Sequence, residues 1–529
     1  MKMIRLRPHS ARLSLSVLES RDLWSVGAID DSIVIQRIPN DESYGDLYGM
    51  PKIKAPQAWD ISTGSRSVVI ADIDSGVDYE HPDLYMNVWI NQDEIPADIR
   101  SVLTDSDEDQ LITFRDLNDS NNIGPGKITD LNSNGFIDGG DLIVAKELGG
   151  WADGNLTDDG NGYTDDLIGW NFVNNSNDPF DDNGHGTHTA GTIGAMGNNS
   201  AGVVGVNWQV QIMPLKFIGG NGSGSLNWAA AAIKYAVDNG APVSNNSWVY
   251  SGGTTNDVVY QAVDYARTHN HLVIAASGNE NANNDKSLWR RYPASFNLSN
   301  IISVAATDSR DAKANFSNYG STSVDLGAPG VNILSTVPGG GYGYGSGTSM
   351  AAPHVTGAVG LILAKRPDLA SDPDTIKSAI LNTVDKVKAL SGKVLTGGRL
   401  NVSAALNAAQ NASGASSGSF TSEPDQPGHG SGNPGRASIT GLEARGDETF
   451  TVTSAIKISD WYCLCEIDSD DESTTDNERE QNVQPVWTSD EVASQPSFDE
   501  PFVISIEGLA DQLSESTTGW DLAEVEMFE

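Results

Sequence analysis

Ser67-Val68-Val69-Ile70-Ala71-Asp72-Ile73-Asp74-Ser75-Gly76 is the stretch on which the fold turns. Its apolar residues are mostly β-branched and run on without the polar alternation of a half-solvated strand. A strand covered on both faces reads that way. Asp72, Asp74 and a glycine close it, so a carboxylate stands at the carboxyl end of a buried strand. Outward from it, residues 210–218, 271–276 and 300–306 are similar runs. Helical patterns lie between them. Leu226, Ala229, Ala230, Ile233, Ala236 and Val237 share one face, and Gly240 supplies a stop. Val258, Val259, Ala262, Val263 and Ala266 repeat the theme before Asn270. Strands alternating with helices of this length predict right-handed crossovers, hence an α/β fold with a central, mostly parallel sheet.

The chain around this unit is long and acidic. Its 529 residues suffice for two to four domains at roughly 100–200 residues each. It carries 71 acidic against 32 basic side chains, a net charge of −39. That balance argues against a nucleic-acid partner, because phosphate binding needs a concentrated cationic face. The two cysteines, Cys463 and Cys465, exclude a disulfide framework and a multi-Cys zinc site. No stretch approaches about 18 consecutive apolar residues, so no integral membrane segment is expected.

Composition also divides the chain. Residues 1–40 form a basic N-terminal segment, expected to be mostly disordered and too short for a propeptide domain with its own core. Residues 41–410 hold the α/β pattern. Within them, residues 93–182 carry 21 acids and four bases, and are expected to lie outside the core as an insertion. Residues 411–457 read as a Gly/Ser/Pro-rich linker region. Residues 458–529, with 20 acids and the single base Arg479, are expected to be a disordered tail. Trp461, Phe502 and Trp520 are candidates there for short docking motifs towards an anchoring partner.

Three further segments carry chemistry. Asn183-Gly184-His185-Gly186-Thr187-His188 opens a small-residue helix, and Gly347-Thr348-Ser349-Met350-Ala351-Ala352-Pro353-His354 opens another. Ala275-Ala276-Ser277-Gly278-Asn279 places an amide beyond a third buried strand. Serine is a poor nucleophile until an imidazole takes its proton, and the imidazole needs a carboxylate to fix its tautomer. Asp74, His185 and Ser349 supply that set. Asn279 and the Ser349 N–H, at a helix N-terminus, are donors suited to an oxyanion.

The order Asp…His…Ser, with DSGVDYEHPDL, HGTHTAG, SGN and GTSMAAPH, resembles the subtilisin-like serine proteases over about residues 41–410. The resemblance implies a three-layer fold, Asp74 as orienting carboxylate, His185 as general base, Ser349 as nucleophile and Asn279 as oxyanion donor. It implies protein or peptide substrates held along segment 244–248, with Ser247, and a pocket lined by Ala275, Ala276, Ser277 and Gly278. That wall reads as apolar and small, favouring uncharged or aromatic side chains, with Trp248 crowding the groove. It also implies a calcium site from Asp41, Asp83 and the loop holding Asn199. Pro353 is expected within the first helical turn, where a missing N–H costs little.

Two acidic loops point to Ca2+ directly. Asp105, Asp107, Asp109 and Asp116 fall at positions 1, 3, 5 and 12 of one 12-residue loop. Asp130, Asn132, Asn134, Phe136, Asp138 and Asp141 do so more completely in a second, with Gly135 at the turn. Asp at position 12 resembles the dockerin type of loop. Gln110 stands where the first loop would place its glycine, so the second is the stronger pattern. A calcium-stabilised serine endopeptidase, secreted or at the cell surface, is the leading reading. A vestigial scaffold protein and an acyl transferase acting on amines are the alternatives.

Overall fold

The computed structural model describes residues 37–124, 128–154, 160–412 and 456–457. Expectations for the N-terminal segment, most of the linker and the acidic tail fall outside these residues.

A nine-stranded sheet forms the centre. In chain order its strands are β1 (Gly64–Asp74), β2 (Trp170–Asn171), β3 (Gln209–Lys216), β4 (Val243–Asn246), β6 (Leu272–Ala276), β7 (Ile301–Thr307), β8 (Leu326–Pro329), β11 (Asp385–Lys386) and β12 (Gly398–Arg399). Their spatial order is β11-β12-β8-β7-β6-β4-β1-β3-β2, and every neighbouring pair is parallel except β11 with β12. The remaining strands are β5 (Val249–Tyr250), which pairs with β13 (Ile456–Lys457), and the hairpin of β9 (Ile333–Val337) with β10 (Gly341–Gly345).

Both faces are covered, as the uninterrupted apolar runs predict. Side chains alternate across the sheet. Val68, Ile70 and Ile274 join one core cluster with the helices His185–Gly194 and Thr348–Lys365, through Ala190, Ile193, Val355, Val359 and Ile362. Ala71, Ile73, Val273 and Ala275 join another with the helices Leu226–Asp238 and Val258–Thr268. The helix beginning at Thr348 can lie close to its neighbours because it is built from small residues. A methyl on Gly357 would come within 2.5 Å of Val206.

The acidic window departs from expectation. It contributes β2 to the sheet edge and holds a buried cluster of its own, with Ile95, Ile112, Phe114, Leu117, Ile137, Leu142, Trp151 and Ile168. These apolar residues are sparse in sequence, and acid-rich turns bring them together. Asn118 ties the two acidic loops: its Oδ1 accepts Ile137 N–H at 2.9 Å, and its Nδ2 donates to Ile137 O at 2.8 Å.

Candidate active site

Asp74 ends β1, the strand at which the chain's progression through the sheet reverses, with β3 on one side and β4 on the other. Crevices beyond strand ends at such switch points are where ligands bind in open α/β sheets. His185 starts its helix immediately after Gly184, whose φ of 101° suits a glycine. Asp74 Oδ1 lies 2.7 Å from His185 Nδ1 and also accepts the Ser75 N–H at 2.8 Å. Both side chains are buried.

A brace that sequence reasoning missed sets this geometry. Asp181 Oδ1 accepts the Gly184 N–H and the Ser75 hydroxyl, each at 2.8 Å, and its Oδ2 accepts the Thr187 N–H at 2.8 Å. The Ser75 hydroxyl oxygen in turn accepts Gly186 N–H at 2.9 Å. One carboxylate thus satisfies donors at the helix start and ties them to the end of β1. An acid just before a helix is a visible capping signal, but its partner Ser75 lies 106 residues away.

Asp72 and His188, adjacent to the set, are structural. Asp72 is buried, accepting Thr189 Oγ1–H and Asn245 Nδ2–H, each at 2.9 Å. Burial, then the nearby Asp74 charge, pushes its carboxyl up. His188 Nε2 lies 2.9 Å from Ile333 O, and burial pushes the imidazole down to about 3.

Ser349 is the second residue of its helix, which packs against the His185 helix. Its Oγ–H donates to Ser247 O at 2.9 Å, and Ser247 Oγ–H donates to Ser349 O at 2.8 Å. Pro353 explains the second bond and corrects the expected first-turn position. It is the sixth helical residue, and it lacks the N–H that would have bonded Ser349 O. Ser247 supplies the missing donor.

Asn279 Oδ1 accepts from Thr348 N at 2.9 Å and Thr348 Oγ1 at 2.8 Å, fixing which end of the amide faces outwards. A methyl placed on Gly347 would lie 3.3 Å from Asn279 Nδ2 and 3.5 Å from Ser349 N. Both donors therefore border one point beside Gly347, and the glycine keeps that point open.

The expected pocket wall is only partly realised. Ala276 and Ser277 are buried at and just beyond the end of β6, but Ala275 packs into the core beneath the sheet. Gly278, at φ 104°, donates its N–H to Thr348 Oγ1 at 3.2 Å. A methyl on it would lie 2.4 Å from Asn318 Nδ2, 2.9 Å from Glu280 Oε2 and 3.0 Å from Arg291 Cγ. Glu280 and Arg291 form an ion pair at 3.0 Å. The Asn318 amide, which donates to Glu280 Oε2 at 2.7 Å, and that charged pair stand beside Gly278 in place of an apolar surface. Trp248 does not crowd the groove either. It is buried against Phe217, ring centroids 5.0 Å apart.

The acidic loops differ from each other. Asp105, Asp107 and Asp109 bring carboxylate oxygens within 4.8 Å of one another, and Asp107 Oδ1 is buried with no hydrogen-bond partner among the described residues. An orphaned carboxylate oxygen among two others suits a hard cation. Gln110 adopts φ 73° where the loop would favour glycine. In the second loop Asp130, Asp138 and Asp141 form no such trio among the described residues. Asn134 Nδ2 donates to Asp138 Oδ2 at 2.6 Å; the bond from Gly135 N–H to Asp130 Oδ2, at 2.9 Å, has its counterpart in the first loop, where Gln110 N–H donates to Asp105 Oδ2 at 2.7 Å and Arg115 pairs with Asp107 Oδ2. Asn132 Oδ1 accepts Asn134 N–H, and Asn134 Oδ1 accepts Phe136 N–H. In both loops the position-12 acid, Asp116 or Asp141, caps a short helix. The third expected set converges: Asn199 Nδ2 donates to Asp83 Oδ1 at 2.6 Å, and the Asn198 N–H to Asp41 Oδ2 at 2.8 Å. Burial pushes Asp83 up to about 7.

A strand-end carboxylate on an imidazole, with a serine opening a neighbouring helix, defines a serine hydrolase arrangement. A family model described as the subtilase family (peptidase S8) matches residues 65–430, and the chain belongs to that family as a serine endopeptidase. It is similar to thermitase from Thermoactinomyces vulgaris, 36% identical over 365 residues, covering 69% of this chain and 97% of that protein. A thermophilic serine proteinase from Bacillus sp. (strain AK1) is 34% identical over 364 residues, 69% of this chain and 68% of that protein. Subtilisin Savinase from Lederbergia lenta is 42% identical over 199 residues, 38% of this chain and 70% of that protein.

Proposed function

We propose that the chain hydrolyses peptide bonds through an acyl-enzyme on Ser349, with His185 as general base and Asp74 as orienting carboxylate. The observation that carries this is the 2.7 Å contact between Asp74 Oδ1 and His185 Nδ1 at the end of β1. Ser349 Oγ attacks the scissile carbonyl carbon while His185 Nε2 takes its proton. The carbonyl oxygen becomes an oxyanion between Asn279 Nδ2 and the Ser349 N–H. His185 then protonates the leaving amine, and water repeats the sequence to release the acid. Asp74 keeps the Nδ1 proton in place and stabilises the imidazolium. Of the expected segment 244–248, residues 244–246 belong to β4, whose two edges are paired with β1 and β6, so an extended peptide would lie along β5, beyond Ser247.

Ca2+ bound by Asp105, Asp107 and Asp109, and by Asp41, Asp83 and Asn199, would neutralise clustered carboxylates and stabilise the folded state. In the second acidic loop the bond from Asn134 Nδ2 to Asp138 Oδ2 would have to open. A secreted or cell-surface location fits this calcium demand, which external millimolar concentrations meet. It also fits the name of one relative, the cell wall-associated protease of Bacillus subtilis. No helix among the described residues is long and apolar enough to cross a membrane.

The test is turnover of a peptide library by the full chain in 18O-labelled water containing glycinamide. Label in the new carboxyl termini, lost in Ser349→Ala, is the expected result. Glycinamide adducts as the main product would favour acyl transfer. Turnover retained by Ser349→Ala would overturn the mechanism, and no turnover by the wild type would favour a vestigial scaffold.

A further inference from the structure

The edge of β5 carries a second segment of this same chain. β13 pairs antiparallel with it, Ile456 opposite Tyr250 and Lys457 opposite Val249. Tyr250 commits its backbone N–H and C=O to Tyr292, at 2.9 and 3.0 Å. Backbone groups alternate sides along a strand, so those of Val249 face the opposite edge, where Lys457 lies. Two residues before Val249 is Ser247, whose carbonyl accepts the Ser349 hydroxyl. The paired edge is therefore the one that leads to the nucleophile.

The sequence around β13 suits this placement. Residues 450–459, Phe450-Thr451-Val452-Thr453-Ser454-Ala455-Ile456-Lys457-Ile458-Ser459, include five β-branched residues and no acid, within an otherwise acidic C-terminal region. Such composition favours strand addition. The 43 residues between Ala412 and Ile456 reach up to about 145 Å when extended, so the tether does not limit access.

We propose that the segment centred on Ile456–Lys457 is an intramolecular occupant of the substrate edge, adding a strand to β5 and competing in cis with peptide substrates. This rests on the reading of that edge as the place where substrate lies. Peptide from solution must displace a tethered competitor, and its apparent affinity falls by the fraction of time the edge is vacant. An occupant present half the time or more weakens substrate binding about twofold or more.

The test uses the full chain carrying Ser349→Ala, so that nothing is cleaved, with fluorescein-labelled oxidised insulin B chain as the probe. Lys457→Pro removes the N–H that faces Val249, whereas Lys457→Ala keeps it. Expected are faster amide exchange at Val249 and binding at least about twofold tighter in Lys457→Pro, with neither change in Lys457→Ala. Unchanged exchange at Val249 in Lys457→Pro would overturn the pairing. Faster exchange with unchanged probe affinity would overturn the competition. If the probe binds none of the variants, the substrate-edge reading fails, while exchange at Val249 still decides whether the segment pairs.

Discussion

Ser247 and Ser349 are joined by two reciprocal hydrogen bonds: each hydroxyl donates to the other's backbone carbonyl, at 2.8 and 2.9 Å. Pro353 makes the pairing necessary. It leaves the Ser349 carbonyl, buried in the first turn of its helix, without a helical donor. Ser247→Ala is expected to cost about 1–3 kcal/mol of folding stability, the usual penalty for orphaning a buried acceptor. In a Pro353→Ala background, residue 353 regains its N–H and the cost falls. Urea unfolding of the double-mutant cycle, in chains carrying Ser349→Ala to prevent self-digestion, checks this. Equal costs in both backgrounds would separate Pro353 from the serine pair.

Asn279 turns its Nδ2 towards the space beside Gly347 and the Ser349 N–H because Thr348 holds its Oδ1 from two sides. Asn279→Ala is expected to lower kcat by about 10²–10³ with KM little changed, the magnitude measured for the equivalent donor in subtilisin. Steady-state kinetics on one peptide decide it. A loss confined to KM would place the amide in ground-state binding.

The placement of Asp74, His185, Asn279 and Ser349 was legible because each sits in a local pattern that announces a strand end or a helix start. The alternation of apolar runs carried the α/β layering for the same reason. What was illegible depends on contacts distant in sequence. The Asp181–Ser75 brace spans 106 residues, and nothing near Ser75 announces its partner. Trp248 looked like a groove residue, yet Phe217 and the neighbouring core cluster take it inside. The acidic window misled through composition. Thirteen widely spaced residues, some from outside the window, build its buried cluster, so counting acids hid them. Arg291 and Glu280 read as ordinary surface residues in the sequence, and only the fold brings them beside Gly278.

That ion pair sets a specificity prediction. Glu280 is one-third exposed and neutralised by Arg291. Arg291→Ala removes the neutralising charge and leaves the Glu280 carboxylate beside Gly278 with the Asn318 amide as its partner. The ratio of kcat/KM for substrates with Lys before the scissile bond to those with Phe should rise about fivefold, an effect of roughly 1 kcal/mol for a partly solvated pair. An unchanged ratio across a matched peptide pair would remove Glu280 from the pocket.

Buried histidines set the acid limb of stability. His271 is held between Ala241 O at 2.6 Å and Ser244 Oγ at 2.8 Å, and burial pushes its imidazole down to about 4. The unfolded chain binds this proton near pH 6.5, which the folded state refuses until about pH 4. Stability from this residue is therefore complete above about pH 6.5 and is lost progressively as pH falls to about 4, on the order of 3 kcal/mol. His354, also pushed down to about 4 by burial, acts in the same direction. His271→Gln should flatten the fall in urea midpoint between pH 6.5 and pH 4 by up to one proton's worth of slope. A slope identical to the parent would show that the imidazole does not titrate on unfolding.

Calcium dependence follows from the first acidic loop and from the set around Asp83. Three carboxylates lie within 4.8 Å of one another with one ion pair among them, Arg115 on Asp107 Oδ2, and Asp107 Oδ1 is left buried without a partner among the described residues. Free calcium at about 100 times its dissociation constant adds about 2.7 kcal/mol per site, so chelation should lower Tm by several degrees. Native mass spectrometry of the Ser349→Ala chain should show one calcium fewer in Asp105→Ala and one fewer in Asp83→Ala, and two fewer in the combination. Gln110 provides the converse test. Its φ of 73° costs an L-residue about 1 kcal/mol that glycine would not incur. Gln110→Gly should raise Tm in the presence of calcium and tighten binding at this loop, because the turn that aligns Asp105, Asp107 and Asp109 is then unstrained. Identical melting curves with and without chelator would dispose of calcium at both sites, whatever the fate of Gln110→Gly.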